Sequence, residues 1–95
     1  MWTTISTTIN NSFTGKPEYV PVAFQNSDLN ESHELILKHG RNTLFCIPEA
    51  LYNSEGFLQD QSGIFQVIDA NNCKYQFSGD LEEGKYLFIF KFLYL

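Results

Sequence analysis

The stretch Asn26-Ser27-Asp28-Leu29-Asn30-Glu31-Ser32-His33-Glu34-Leu35-Ile36-Leu37-Lys38-His39-Gly40 decides the class of this fold. Read as a helix, it is entered through Asn26-Ser27-Asp28, carries acids early at Asp28, Glu31 and Glu34, and has Lys38 and His39 in its last turn. That order complements the helix dipole, and Gly40 stands where a left-handed cap closes a helix. Leu29, Ile36 and Leu37, helped by His33, fall at helical spacing, which turns one stripe onto a sheet and leaves Glu31, Glu34 and Lys38 in water. The stretch therefore predicts one main helix.

Both flanks read as strand. Thr3 to Ile9 alternates weakly, with Ile5 and Ile9 on one side, and turn residues follow at Asn10-Asn11-Ser12 and Thr14-Gly15-Lys16-Pro17. Glu18 to Phe24 is a second strand, which Pro21 confines to an edge or a bulge because proline has no N–H to give the ladder. Beyond Gly40, the apolar Thr43–Ile47 segment predicts a buried strand stopped by Pro48, with a brief helical turn over Pro48 to Tyr52. Asn53 to Gly63 is the longest loop, pinned to the body by Phe57 and Leu58.

The last third reads as a three-strand antiparallel meander: Ile64–Ile68, Cys73–Phe77 and Lys85–Tyr94, joined through Asp69–Asn72 and Ser78–Gly84. In its final strand Phe88, Phe90, Phe92 and Tyr94 share one face, while Leu87, Ile89, Leu93 and Leu95 share the other with Lys91. A strand apolar on both faces must be covered on both or meet another chain. The expected fold is thus α+β: a small, mostly antiparallel sheet of five to six strands, one main helix packed on one face, and a C-terminal meander. The 95 residues leave room for one domain, 1–95, and 43% hydrophobic residues supply its core.

Six Lys and Arg against eleven Asp and Glu give a formal charge of -5, which opposes direct nucleic-acid binding and attachment to anionic membranes. Between Glu49 and Glu83 seven acids face one base, Lys74. Two cysteines and an N-terminal stretch without a basic, long apolar leader pattern predict a cytoplasmic protein. The longest apolar run, Tyr86 to Leu95, contains Lys91 and is half a helical span.

No residue grouping announces catalysis, a metal or a cofactor. Cys46 lies within an apolar strand where burial raises a thiol's pKa, and Cys73 lacks a nucleophile signature. His33 and His39 are six apart, unlike an i, i+4 ligand pair, and the six glycines are too dispersed to cradle phosphate. The leading expectation is a small non-enzymatic module that binds a basic partner protein as its inhibitor or adaptor. Short acidic chains of this kind match the profile of viral or mobile-element antagonists of host nucleic-acid-binding complexes. Partner-binding candidates are Glu55, Asp60, Asp80, Glu82 and Glu83. An interface strand of Phe88, Phe90, Phe92 and Tyr94 could also support a homodimer. The alternatives are an enzyme of unfamiliar type using Cys73 and His39, and a small-ligand domain with an aromatic pocket.

Overall fold

The computed structural model describes residues 16–94, so the Thr3–Ile9 strand expectation lies outside the described residues. Six strands follow in order: β1 (Glu18–Gln25), β2 (Glu34–Lys38), β3 (Cys46–Tyr52), β4 (Ile64–Asp69), β5 (Asn72–Gln76) and β6 (Lys85–Phe92). They form two three-stranded antiparallel sheets, ordered β1-β6-β3 and β2-β5-β4, whose inner faces share one core. The α+β expectation is therefore corrected to an all-β arrangement of two facing sheets, with a single 3-10 turn at Asn26–Asp28 among the described residues.

The helix expected over residues 26–40 is overturned by local side-chain chemistry. Asn30 Oδ1 accepts the backbone N–H groups of Ser32 and Glu34 at 3.0 and 2.9 Å, its Nδ2 donates to Glu34, and its backbone N–H donates to the Glu34 carbonyl. Asparagine used this way closes a turn at the expense of a helical ladder. His33 completes the turn at φ 62, a left-handed conformation that a continuing helix forbids. After it the chain extends, burying Leu35 and half-burying Leu37 while Ile36 and Lys38 stay exposed. The helical stripe omitted Leu35, the most buried residue of the segment. Period two, not 3.6, organises it.

The meander is corrected as well. β4 and β5 do form a hairpin, turned by Asp69, whose carboxylate accepts the Asn71 backbone N–H and the Asn72 amide, both at 2.8 Å. β6, however, leaves that sheet and lies between β1 and β3 in the other. Pro48 does not end β3, because a register shift between Pro48 and Ala50 lets the strand continue to Tyr52 in place of the expected helical turn. Both strand prolines, Pro21 and Pro48, occupy edge strands, where no second ladder needs their missing donor.

Strand alternation assigns the faces. Val20, Val22 and Phe24 of β1, Phe88, Phe90 and Phe92 of β6, and Cys46 and Leu51 of β3 turn inward to meet Leu35, Leu37, Phe65, Cys73 and Tyr75 of the second sheet. Rings dominate this contact: Tyr75 sits edge-on to Phe88 with centroids 4.9 Å apart, and Phe88 lies 4.8 Å from Phe90. Burying each such side chain contributes about 1.5–3 kcal/mol, and each favourable ring pair adds about 0.5–1.5 kcal/mol.

Gly63 marks a close approach. Its N–H donates to the Tyr75 hydroxyl at 2.8 Å, and a Cβ there would overlap the Gln76 carbonyl oxygen and the Tyr75 ring. Gly63→Ala is expected to lower stability by about 1–3 kcal/mol in urea titrations, the cost of overpacking. Gly79→Ala, where the space is open, should shift the midpoint little.

Candidate functional site

Two loops at one end of the molecule bring together acids that are distant in sequence. The first runs from Asn53 to Gly63. Asn53 Oδ1 accepts the N–H groups of Glu55 and Phe57 at 3.0 and 2.9 Å, and Gln59 N–H donates to the Leu51 carbonyl at 2.7 Å, which ties the loop to the end of β3. The second, from Phe77 to Gly84, is held by Phe77 N–H to the His33 carbonyl at 2.9 Å and by Leu81 N–H to Asn26 Oδ1 at 2.8 Å. His33 Nε2 also meets Asp80 Oδ1 at 3.0 Å.

Between these loops lies a groove of about 390 Å³. Asp60 reaches it from the first loop and Asp80 and Glu82 from the second, while Leu51, Phe77 and Tyr86 supply apolar floor. Among the described residues no Lys or Arg lines it. Glu83 borders the neighbouring hollow with Asn26 and Leu81, and Glu55 is exposed on the first loop. Phe57 and Leu58, expected to pin that loop, are instead 63% and 68% exposed; the tie is made by Asn53 and by the bridge between Tyr52 and Leu58. An anionic rim over an aromatic floor suits a lysine or arginine side chain, whose stem packs on the rings while its charge meets the carboxylates.

Sequence reasoning missed the groove's supports, Asn26 and His33, because both were assigned to a helix. It also missed the floor residues Phe77 and Tyr86. The signal available for these two was their position at strand ends flanking the acidic loop.

The other candidates lie elsewhere. Phe88, Phe90 and Phe92 are at most 1% exposed and face the core, so the surface of β6 is its opposite face. Tyr94 donates its hydroxyl proton to Glu18. Cys73 is fully buried, and its hydrogen bond to the Cys46 thiol together with burial pushes its thiol well above the ordinary range. Among the described residues neither ring nitrogen of His39 meets a thiol: Nδ1 accepts the Arg41 N–H at 3.0 Å and Nε2 is buried with no hydrogen-bond partner among them. Among the described residues no group of three or more His, Cys, Asp or Glu is placed to hold a metal ion, and no helix is long and apolar enough to cross a membrane.

His39 belongs to a second polar cluster at the opposite end. Arg41 makes a two-pronged contact with Glu18, Nε to Oε1 at 3.0 Å and Nη2 to Oε2 at 3.2 Å, donates to the His39 carbonyl, and lies 5.2 Å over the Phe92 ring. Its hydrogen bonds, with that of Tyr94, hold the Glu18 carboxyl below the usual carboxylate range. Burial first, and then the Arg41 charge, pull the His39 pKa below 6.5, with Asp69 opposing. Because Nδ1 is an acceptor, the neutral ring carries its proton on Nε2. Protonation would require a second proton on Nδ1, breaking the bond from Arg41. A depressed histidine pKa contributes stability that is fully present above the unfolded value and lost as pH falls through 6.5 towards the folded value. The urea midpoint should therefore fall between pH 7 and 5.5, and His39→Phe, which keeps a ring against Phe92, should flatten that slope.

Comparison with protein-family models, curated proteins and solved structures finds no match for this chain.

Proposed function

We propose that the chain is a small non-enzymatic protein-binding module that takes a basic segment of a partner protein into the groove between residues 53–63 and 77–84, and acts as an inhibitor or adaptor of that partner. The observation that carries this reading is the convergence of Asp60, Asp80 and Glu82, from two separate loops, over a floor of Leu51, Phe77 and Tyr86. Carboxylates spread over a rim speed encounter with a cationic partner and set its orientation, while an aromatic floor supplies the desolvated anchor that gives affinity. Phe57 and Leu58, exposed on the first loop, add apolar contact beside the charges. The net charge of -5 extends the attraction beyond the groove.

The test uses an arginine- and lysine-rich peptide titrated into the isotopically labelled chain. Amide shifts should concentrate at Asp60, Phe77–Glu82 and Tyr86. Affinity should fall steeply with salt, and by roughly tenfold or more in the triple variant Asp60→Asn, Asp80→Asn, Glu82→Gln, since each rim charge is worth up to about 1 kcal/mol. Shifts scattered over the surface, or binding indifferent to the triple variant, would remove the groove from consideration. Affinity capture with the same pair of proteins then identifies the natural partner by what the wild type retains and the variant does not.

A further inference from the structure

Cys46 and Cys73 are the chain's only cysteines, and the fold brings them from opposite sheets into one part of the core. Cys46 opens β3, an edge strand, and Cys73 lies in β5, the central strand of the facing sheet. Both are buried, Cys46 at 6% exposure and Cys73 at 0%. Backbone geometry explains why they meet. The Thr43 N–H donates to the Ala70 carbonyl at 2.8 Å, the Asn42 N–H to Asn71 Oδ1 at 2.8 Å, and the Gly40 N–H to the Asn71 carbonyl at 3.1 Å. This seam ties the approach to β3 directly to the turn that leads into β5. From it each chain segment runs into the core and presents its cysteine at the third residue, Cys46 after Thr43 and Cys73 after Ala70. There the two thiols share a hydrogen bond.

We infer that Cys46 and Cys73 form a reversible disulfide that fastens edge strand β3 to the facing sheet, with a low-molecular-weight disulfide as the oxidant. Cys46 reacts first. Among the described strands β3 is laddered on one side only, to β6, so local opening of its first residues admits the oxidant to Cys46 while Cys73 stays enclosed. The hydrogen bond with Cys73 draws the Cys46 thiol below its ordinary range, burial opposes this, and the Arg41 charge adds to the lowering. Thiolate is the attacking form.

In the first step the Cys46 sulfur attacks one sulfur of the oxidant RS–SR. The S–S bond of the oxidant breaks, a Cys46–SR bond forms, and one thiol RSH leaves with the Cys46 proton. The Cys73 sulfur then attacks Cys46 Sγ and displaces the second RSH, which takes the Cys73 proton. The two cysteines lose two electrons and RS–SR gains them as two thiols. Closure encloses the Asn53–Gly63 loop and β4, restricting their freedom in the unfolded chain. Because the fold holds the sulfurs together, bridging and folding favour each other by the same factor.

The test equilibrates the full chain with mixtures of oxidised and reduced glutathione, in native buffer and in concentrated urea. Cleavage after glutamate separates the two cysteines at Glu49 and Glu55, so a bridge appears as a linked peptide pair two hydrogens lighter. The equilibrium constant for bridging should be at least about a hundredfold larger in the folded chain than in urea, and oxidation should raise the urea midpoint. Cys73→Ala should stop at a glutathione adduct on Cys46, whereas Cys46→Ala should leave Cys73 unmodified over the same time. The wild-type comparison decides the matter even if either variant misfolds. Two free thiols in the folded chain under fully oxidised glutathione overturn the inference. So do equal bridging constants in buffer and urea, or bridges found only between copies.

Discussion

The fold depends on one packing constraint: β6, central in its sheet, drives Phe88, Phe90 and Phe92 into the space in front of Cys73 and Tyr75 of the facing sheet. Each flanking strand has a reason to be where it is once that contact exists. β1 and β3 widen the apolar surface with Val20, Val22, Phe24 and Leu51, and each accommodates a proline because it is an edge. β2 and β4 do the same around β5 with Leu35, Leu37 and Phe65. A sandwich of six short strands has few layers to spare, so the rings at its centre carry a large share of its stability.

The same rings position the groove. Tyr75 accepts the Gly63 N–H through its hydroxyl, which fixes the end of the loop that carries Asp60. Phe77, where the second loop begins, stacks 4.9 Å from Tyr75, 5.8 Å from Phe24 and 6.3 Å from Phe88. Both walls of the groove are therefore anchored to one aromatic cluster, and the carboxylates stand on a rigid base while their tips remain solvated. A groove so built is pre-formed, which limits the ordering cost that a partner must overcome.

The legibility of this chain in its sequence was uneven for physical reasons. β6 was readable because the unbroken apolar and aromatic run from Tyr86 to Phe90 leaves little alternative, yet its buried face was not, since phenylalanines and aliphatic residues give both faces nearly equal hydrophobicity. Residues 26–40 were misread because Leu29, Ile36 and Leu37 coincide with a helical stripe, while the deciding feature, Asn30 gripping Ser32 and Glu34, is hydrogen-bond geometry that composition does not reveal. The acids of the groove were visible as an excess of charge. Their convergence was not, because it follows from β6 changing sheets, and an eight-residue connection from 77 to 84 is compatible with either a hairpin or a crossing.

Sequence pattern served individual strands, not whole sheets: β1, β5 and β6 were legible as strands while β2 was not. β5 alternates in the ordinary way of a half-solvated sheet, with Lys74 paired to Glu34 on the wet side, while β2 carries Leu35-Ile36-Leu37 in a row and exposes Ile36. β6 does not alternate in hydropathy from Tyr86 to Phe90, although its burial alternates from Leu87 onward, with Phe88, Phe90 and Phe92 buried and Leu87, Ile89 and Lys91 half-buried. Leu87 and Ile89 on its outer side are half-buried between cross-strand neighbours, Ala23 and Tyr52 for the first and Pro21 and Ala50 for the second, and such pairs stabilise the sheet. Tyr86 and Leu87, neighbours in β6, point to opposite sides, so one strand supplies the groove floor with the first and the outer face of its sheet with the second.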